Sequence, residues 1–336
     1  MDKYRTTIAD IAEELGVSTA TVSNVIHGKT AKISAATVKR VNELLEKRNY
    51  MPNMAEILLG QNSSKIVGIV INDHEKYENR TIEDGFISST LNALSREIDK
   101  AGYFVMVKVT HELNTVEKFA SMWNMVGLVI MGFCDTDYKK LRENIRIPFV
   151  IVDGEVDGKA DGICNLVIDN YDGGRQVGQY LIETGHRRVL CITDNLDRLD
   201  ADRINGVTDA FGKDITDTLV VPTQKDARRR LYDTRLNNFK SYSAIFAVSD
   251  FYAMELIRYL ADNGINVPRD ISVIGFDDAP LSEFCSPPLT TVRQDISVRA
   301  QKAIELLSDL INGKSVPSSF VSPVTLIKRD SVATIK

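Results

Sequence analysis

The sequence predicts a small all-α helix-turn-helix head followed by a larger α/β domain of two doubly wound, parallel-sheet lobes. In the first 50 residues, apolar side chains recur at helical spacing and no strand pattern is present. From Lys65 onward, short apolar runs typical of buried strands alternate with amphipathic helical patterns. Such alternation favours parallel sheets that are covered by helices on both faces.

The domain organisation follows from breaks in these patterns. We expect the head at residues 1–50, a connecting segment at 51–64 and the α/β domain at 65–336. The connecting segment contains Pro52 and the polar run Gly60–Ser64, which is typical of a domain boundary. The α/β domain is too long for one ordinary open sheet, so two lobes are expected.

The composition is that of a globular protein and favours neither a membrane protein nor an exported one. Hydrophobic residues make up 43% and charged residues 26%, as in an ordinary globular protein. No apolar run approaches the roughly 20 residues that span a bilayer, and the N-terminus has acids where a signal peptide needs an apolar core. We therefore expect a cytoplasmic protein with no membrane partner. The four cysteines and four histidines lack metal-ligand spacing, so neither a metal site nor a cofactor is expected.

Three short helices are expected in the head, each preceded by a capping residue. Thr7 can cap the first helix, with Asp10 in the capping-box position. Gly16 breaks that helix, and Ser18 can cap the second. Ser34 can cap the third. Two capped helices joined by a tight glycine turn are typical of a helix-turn-helix unit.

The second helix leaves small and polar side chains free to face a DNA major groove. These are Thr19, Ala20, Thr21, Ser23 and Asn24. Asparagine suits adenine, hydroxyls suit phosphates or bases, and the methyl groups of Ala and Thr suit thymine. The net charge is −5, yet six basic residues and only two acids lie from Lys29 to Arg48, which gives a local basic face for phosphates. The alternative is a three-helix unit that mediates protein contacts.

Polar residues follow several predicted strands of the α/β domain. These strands are Ile66–Ile71, Phe104–Val109, Val126–Met131, Phe149–Val152, Val189–Thr193, Ala244–Val248 and Ile271–Gly275. Ligands of open α/β sheets bind beyond the carboxyl ends of strands, and two lobes create a cleft there. The candidate ligand-binding residues are Asn72, Asp73, Asp153, Arg203, Ser249, Asp250, Phe276 and Asp277.

These candidates suit a polyhydroxylated ligand, because carboxylates and a guanidinium make charge-assisted, directional hydrogen bonds to hydroxyls. Arg203 is expected to open a helix after the strand Val189–Thr193 and its acidic loop. For Asp250, helix capping or turn formation is an open alternative to ligand contact.

Long motifs of this chain resemble the lactose/galactose repressor family (LacI/GalR) of bacterial transcriptional regulators. In the head these motifs are VSTATVSNVIHGK and ISAATVKRVNELLEKRNYMPN. Further along they are IDNYDGGRQVGQYLIETGHRRV, ADRINGVTDAF, AIFAVSDFYAMELIRYLADNGINVPRDISVIGFDDAPL and PPLTTVRQD. The motifs keep the family's order over nearly the whole chain.

For the head, the resemblance implies base-reading positions and a second DNA-contacting element. The implied base-reading residues are Thr19, Ala20 and Asn24. Met54–Gly60 would form a hinge helix in the minor groove, and Leu59 matches the leucine that is wedged between base pairs. Glu56 stands where the family usually has alanine, and an acid is unfavourable there. The expected DNA-binding residues are Thr7, Ser18, Thr19, Ala20, Thr21, Ser23, Asn24, His27, Lys32, Asn53 and Leu59.

For the α/β domain, the resemblance implies a sensor domain with the periplasmic-binding-protein-like fold of type I. Its chain would cross between the lobes near Ile163–Val167, Thr291–Gln294 and Ser322–Val324. The first lobe would then hold about 65–163 and 293–322, and the second about 164–291 and 323–336. Arg203, Asp277 and the Ser249–Asp250 turn match positions of the family's effector cleft.

The function implied is that of a repressor of carbohydrate-utilisation genes. A homodimer would bind a roughly palindromic, double-stranded operator. A small effector, a sugar or sugar phosphate, would bind between the lobes and change the affinity for the operator.

Three other functions fit parts of the sequence. An enzyme would need a catalytic motif, but Gly28-Lys29-Thr30 and Gly313-Lys314-Ser315 lack the first glycine of a phosphate loop and no GxSxG elbow is present. No catalytic residue is therefore expected. A solute-binding protein of a transporter shares the two-lobed form but has no use for a helix-turn-helix. An activator, or a regulator that responds to a nucleobase or a protein corepressor, stays open.

Overall fold

The computed structural model describes residues 6–50, 64–112, 114–133, 138–154, 163–196 and 198–335. The chain divides into two compact units, Met1–Ser64 and Lys65–Lys336. The hinge helix expected from the sequence, with Asn53, Glu56 and Leu59, lies outside the described residues.

The described helices of the small unit are α1 (Ile8–Leu15), α2 (Thr19–Ile26) and α3 (Ala35–Lys47). Thr7, Ser18 and Ser34 each accept a hydrogen bond from the backbone N–H three residues on, as their capping positions predict. Thr7 and Asp10 complete a capping box, because the Asp10 carboxylate accepts from the Thr7 backbone N–H at 2.8 Å.

The turn between α1 and α2 fixes the angle at which the two helices pack. Gly16 ends α1 with φ 66°, a left-handed conformation that glycine adopts without strain. Ile11, Val22 and Val41, one from each helix, are fully buried and form the core of the unit. The packing therefore leaves the opposite face of α2 in solvent.

The first sheet of the larger unit consists, within the described residues, of six strands. They are β1 (Ile66–Asn72), β2 (Phe104–Thr110), β3 (Gly127–Met131), β4 (Phe149–Val152), β5 (Ile163–Ile168) and β11 (Ser319–Ser322). Their order across the sheet is β11-β5-β4-β3-β1-β2, and every neighbouring pair is parallel. The carboxyl ends of these strands therefore meet along one edge.

The second sheet has the same number of described strands and a similar arrangement. They are β6 (Val189–Thr193), β7 (Thr216–Val220), β8 (Ala244–Ala247), β9 (Ser272–Asp277), β10 (Thr290–Gln294) and β12 (Val324–Ile327). Their order is β12-β10-β9-β8-β6-β7. All neighbours are parallel except β10 and β12, which run antiparallel.

Helices cover both sheets. They are α4 (Gly85–Lys100), α5 (Asn114–Met122), α6 (Tyr138–Asn144), α7 (Asn170–Glu183), α8 (Arg198–Phe211), α9 (Lys225–Phe239), α10 (Asp250–Asp262) and α11 (Ile296–Ile311). Each sheet has its own apolar core: Ile69 packs in a cluster with residues of α4 and α11, and Phe246 in one with residues of α7 and α10. The larger unit is thus two lobes.

The chain passes between the lobes after β5, after β10 and between β11 and β12. The first crossing comes later than the sequence-based boundary near residue 163, because β5 still belongs to the first sheet. Its backbone is hydrogen-bonded to β4 on one side and to β11 on the other, and leaving the sheet at residue 164 would forfeit these bonds. The chain turns into the second lobe at Asp169, which caps α7.

Candidate functional site

A cavity of about 180 Å³ lies between the lobes, at the carboxyl ends of strands from both sheets. We call it the cleft. Parallel strands end along a common edge, so side chains distant in sequence meet there. The titratable acids and bases among its described lining residues are His74, Lys76, Tyr77, Asp153, Asp194, Asp200, Arg203, Tyr252 and Asp277.

Arg203 is positioned by contacts with three elements of the second lobe. Its Nε donates to Asn170 Oδ1 at 2.7 Å and its Nη1 to the Val248 carbonyl at 2.6 Å. Its guanidinium carbon stands 3.9 Å from the centroid of the Phe276 ring, a stacked cation–π contact. Arg203 lies in the second turn of α8 rather than at its start, since α8 begins at Arg198.

Close helix packing brings Arg203 into this position. A Cβ atom on Gly174 of α7 would stand 1.9 Å from the Arg203 carbonyl oxygen, and one on Gly206 of α8 would stand 2.1 Å from the Tyr171 carbonyl oxygen. The two helices can approach this closely only because both positions lack a side chain.

Asp277 ends β9 with φ 122°, a conformation that aspartate rarely adopts and that turns the chain at the cleft. Its carboxylate accepts from Gln294 Nε2 at 2.7 Å. Burial raises the pKa of Asp277 to about 7, although the charges of Arg203 and Lys76 act in the opposite direction. The group therefore sits where ionisation is costly.

A chain of hydrogen bonds links Asp277 to the first lobe through the crossing after β10. Gln294, which donates to Asp277, accepts from Arg299 of α11, and Arg299 donates to Asp153 Oδ1 at 2.6 Å. Asp153 directly follows β4 and has φ 54°, so its left-handed backbone also turns the chain at the cleft. The strand ends of the two lobes are thus connected by side chains.

The segment His74–Glu78 of the first lobe reaches the second lobe beside the cleft. The Tyr77 ring meets the Phe251 ring edge-on at 5.7 Å, and Lys76 Nζ lies 5.6 Å from the Tyr252 ring centroid. Burial opposes the charge of Lys76, but Tyr77 and the nearby carboxylates prevail and raise its pKa.

Two acids of the same segment make hydrogen bonds to the second lobe. Glu75 Oε2 accepts from the Thr223 hydroxyl at 3.3 Å, and Glu78 Oε1 accepts from the Lys225 backbone N–H at 3.1 Å. Lys225 is the first residue of α9, whose own N-cap residue, Gln224, makes no side-chain cap. Glu78 therefore caps a helix of the opposite lobe. We refer to these two bonds as the latch.

The structure brings five of the eight candidate ligand-binding residues together. Asn72, Asp153, Arg203, Ser249 and Asp277 line the cleft. Ser249 Oγ is buried and has no hydrogen-bond partner among the described residues.

The other three candidates are not among the residues that line the cleft. Asp250 is 1% exposed, and its carboxylate accepts from the Thr291 hydroxyl at 2.6 Å and the Ala279 N–H at 2.8 Å, which is a structural role. Asp73 accepts from the Thr81 hydroxyl at 2.6 Å. Phe276 is fully buried and supports Arg203 from beneath.

Sequence reasoning missed several lining residues. Asp194 directly follows β6, and the strand-end rule that selected Asn72 and Asp153 would have found it. Gln294 ends β10, a short strand of mixed polarity that the apolar-run criterion did not detect. Lys76 and Tyr252 carry no such signal, because their positions depend on how the lobes meet.

In the small unit, the residues predicted to read DNA are mostly on the solvent-exposed face of α2. Ser18, Thr19, Ala20 and Asn24 are exposed, while Thr21, Ser23 and His27 are half-buried. Thr7 and Lys32 are also exposed. Ser18 combines exposure with its capping bond to the Thr21 N–H at 3.1 Å. The three residues predicted to read bases, Thr19, Ala20 and Asn24, are thus all accessible to solvent.

Within the described ranges, the helices lack the combined length and apolar character that a membrane span requires. In the same part of the chain, no three His, Cys, Asp or Glu side chains are grouped so that they could hold a metal ion.

Comparison with known proteins decides the family. Residues 7–53 match the family described as bacterial regulatory proteins, lacI family, and residues 179–332 match a periplasmic binding protein-like domain. The chain is 31% identical to the transcriptional repressor PurR of Actinobacillus pleuropneumoniae, over 91% of each chain. The chain belongs to the lacI family. It is therefore a DNA-binding transcriptional regulator, and the predicted family is confirmed.

A second relative is similar over nearly the whole chain, and two solved structures are similar in fold. The chain is 27% identical to the transcriptional regulator MalR of Clostridium butyricum over 98% of this chain and 99% of MalR. A lac repressor dimer bound to operator and the anti-inducer ONPF superimposes with a TM-score of 0.81 at 24% identity, covering 98% of this chain and 99% of that one. A CelR–cellobiose complex superimposes with a TM-score of 0.68 at 24% identity, covering 97% and 100%. The predicted fold class, a helix-turn-helix head and an α/β domain of two lobes, is confirmed.

Proposed function

We propose that this regulator is a cytoplasmic repressor of carbohydrate-utilisation genes, and that a sugar or sugar phosphate bound in the cleft changes its affinity for operator DNA. The observation that supports this most directly is the cleft itself. It combines the apolar strand ends Ile71, Met131 and Val152 with carboxylates and a stacked guanidinium from the opposite lobe. An enclosed space with a few directional polar groups is typical of small-molecule sites.

The cleft has the chemistry that a polyhydroxylated ring requires. Arg203 presents donors, Asp153 and Asp277 present acceptors, and Ser249 offers a hydroxyl that can do either. The cavity of about 180 Å³ can hold several water molecules, so a small ligand can enter it. The similar structure of a CelR–cellobiose complex is consistent with a carbohydrate effector.

For DNA binding, we propose that α2 enters the major groove and that Thr19, Ala20 and Asn24 contact base edges. Their exposure on one face of a capped helix supports this role. A homodimer would present two such helices to a roughly palindromic operator. Leu59 would act as the minor-groove wedge, and Leu59→Ala should then reduce operator affinity and bending.

A ligand screen tests the proposed effector class. Thermal unfolding of the full-length protein is followed with a panel of neutral and phosphorylated sugars, since a ligand specific for the folded state raises the melting temperature. The ligand so found is then added to an operator titration. A carbohydrate that stabilises the protein and shifts operator affinity supports the proposal, whereas a complete failure of carbohydrates to bind contradicts it.

A further inference from the structure

The charges of the cleft restrict the class of effector, and this inference rests on the function proposed above. Among the described residues that line the cleft, the side chains with a permanent positive charge are those of Lys76 and Arg203. The carboxylic acids there are Asp153, Asp194, Asp200 and Asp277. His74 contributes little positive charge, because burial and then the neighbouring Lys76 lower its pKa.

Both cations already interact with groups of this chain. Arg203 donates to Asn170 and to the Val248 carbonyl, and its Nη1 lies 3.8 Å from the Asp200 carboxylate. Lys76 Nζ lies 5.0 Å from the Tyr77 ring centroid. An incoming anion would have to compete with these contacts.

The carboxylates, in contrast, are only partly neutralised. Asp153 pairs with the Arg299 guanidinium at 2.6 Å. Asp194 receives a hydrogen bond from the Tyr252 hydroxyl at 2.6 Å, and Asp277 one from the Gln294 amide, and both donors are uncharged. Burial raises the pKa of Asp200 and that of Asp277, against the lowering by Arg203 and Lys76, so these surroundings disfavour additional negative charge.

A helix N-terminus could offset this, because its free N–H groups attract anions. Three helices begin beside the cleft, and each has an acid at its start. Asp84 caps α4, Asp200 lies in the first turn of α8, and the buried Asp250 is the first residue of α10. An acid at such a position opposes anion binding at that end of the helix.

We propose that the effector is an uncharged, unphosphorylated saccharide and that the cleft rejects sugar phosphates. A phosphate group carries about −1.5 to −2 charges near neutral pH and needs unengaged cationic donors. In the cleft it would meet carboxylates and two engaged cations. A sugar hydroxyl can donate a hydrogen bond to those same carboxylates and accept one from Ser249. The carboxylates that would repel a phosphate group therefore bind a neutral sugar.

Matched pairs of ligands test this proposal on the full-length protein. Glucose, ribose, maltose and cellobiose are each compared with a phosphorylated counterpart by thermal shift and calorimetric titration. For any pair that binds, we expect the neutral sugar to bind at least about tenfold more tightly. A phosphorylated sugar that binds as tightly or more tightly overturns this proposal and leaves a sugar effector standing. If neither member of any pair binds, this proposal and the proposed function both fail.

A charge-removing variant tests the physical cause. Asp200→Asn keeps the shape of the side chain but removes one negative charge from the cleft, so the preference for the neutral member of the pair should shrink. Asp217→Asn is the control, since Asp217 is a half-exposed acid of β7 that pairs with Arg188 away from the cleft. An unchanged preference in Asp200→Asn would show that charge does not set the selectivity and would overturn the explanation.

Discussion

At the scale of residues, the guanidinium of Arg203 is held by Asn170, Val248 and Phe276. Arg203→Lys keeps the charge but loses the planar group that bonds Asn170 and Val248 and stacks on Phe276. We expect the affinity for the effector to fall by about 10–100-fold, the range for a lost charge-assisted hydrogen bond. Isothermal titration calorimetry measures this change in affinity.

The matched control for this variant is Arg188→Lys. Arg188 lies in the same lobe, pairs with Asp217 and is half-exposed, so effector affinity should be unchanged. If the two substitutions lowered effector affinity equally, or if Arg203→Lys left it unchanged, Arg203 would not be part of the proposed binding site.

The pKa of Asp277 predicts a pH dependence of stability. Its folded-state pKa of about 7 lies above the ordinary value of 3.8. Between about pH 4 and pH 7 the folded protein keeps a proton that the unfolded chain has released, so the free energy of unfolding falls as the pH rises through this window.

Asp277→Asn removes this titration. We expect the decline in stability between about pH 4 and 7 to become shallower by roughly a few kcal/mol, since one unit of pKa difference corresponds to about 1.4 kcal/mol. Urea unfolding at several pH values measures this change. Asp217→Asn serves as the reference, because Asp217 is a half-exposed acid of the same lobe. If the free energy of unfolding of Asp277→Asn changed with pH just as that of the wild type does, the titrating group would be another residue.

At this scale, the rule that ligand groups follow strand ends located Asn72, Asp153 and Asp277 from the sequence alone. The same rule could not distinguish Asp250 from the cleft-lining residues. Asp250 also follows a strand, but it begins a helix and its carboxylate is buried against Thr291 of β10. The rule also could not find Lys76, because that residue contacts Tyr252 only when the lobes meet. Local patterns specify where chains turn, and tertiary packing decides which turns face each other.

At the scale of elements, α7 and α8 pack closely where they cross at Gly174 and Gly206. A Cβ on Gly174 would overlap the Arg203 backbone at 1.9 Å, so Gly174→Ala must push the helices apart. We expect a loss of about 1–3 kcal/mol in the free energy of unfolding, as for other overpacked sites. We also expect weaker effector binding, because α8 carries Arg203.

Gly85→Ala is the control for this substitution. A Cβ at Gly85, the first residue of α4, would meet its nearest atom, in Pro280, at 3.6 Å, an ordinary contact. This variant should be as stable as the wild type or slightly more stable, because alanine favours helix. Chemical unfolding of both proteins measures the difference, and a harmless Gly174→Ala would contradict the described packing.

The latch is the second feature at this scale. Its bonds from Glu75 to Thr223 and from Glu78 to Lys225 exist only while the lobes keep this separation. Glu78→Ala removes the cap of α9, which is typically worth about 1 kcal/mol. Effector affinity should therefore fall by about fivefold in titrations, since ligand binding must then hold the lobes together without that bond.

Glu83→Ala tests whether this effect is specific. Glu83 is an exposed acid of the same part of the first lobe and takes no part in the two latch bonds. It should leave effector affinity unchanged. A similar loss in both variants would indicate a general charge effect instead of the latch.

The elements themselves were predictable to different degrees. Buried strands such as β3 and β8 are continuous apolar runs and were expected from the sequence. The edge strands β7 and β12 are half-exposed and mix polar with apolar residues, so no such run marks them. Their structure depends on the neighbouring strand that completes their hydrogen bonds.

At the scale of the whole larger unit, the two lobes are joined by covalent crossings and by the hydrogen-bonded chain from Asp277 through Gln294 and Arg299 to Asp153. A ligand that contacts Asp277 and Asp153 touches both ends of this chain. Ligand binding and lobe arrangement are therefore physically linked, and any linkage to operator affinity must be reciprocal.

The central claim is that a saccharide in the cleft changes operator affinity, and one measurement tests it most directly. A fluorescent operator duplex, selected from random sequences by the full-length protein, is titrated with and without the saccharide that the thermal screen identifies. We predict a change in operator affinity of about 5–150-fold, the usual range of allosteric coupling, which Arg203→Lys diminishes. A saccharide that binds the cleft and leaves operator affinity unchanged would contradict the account.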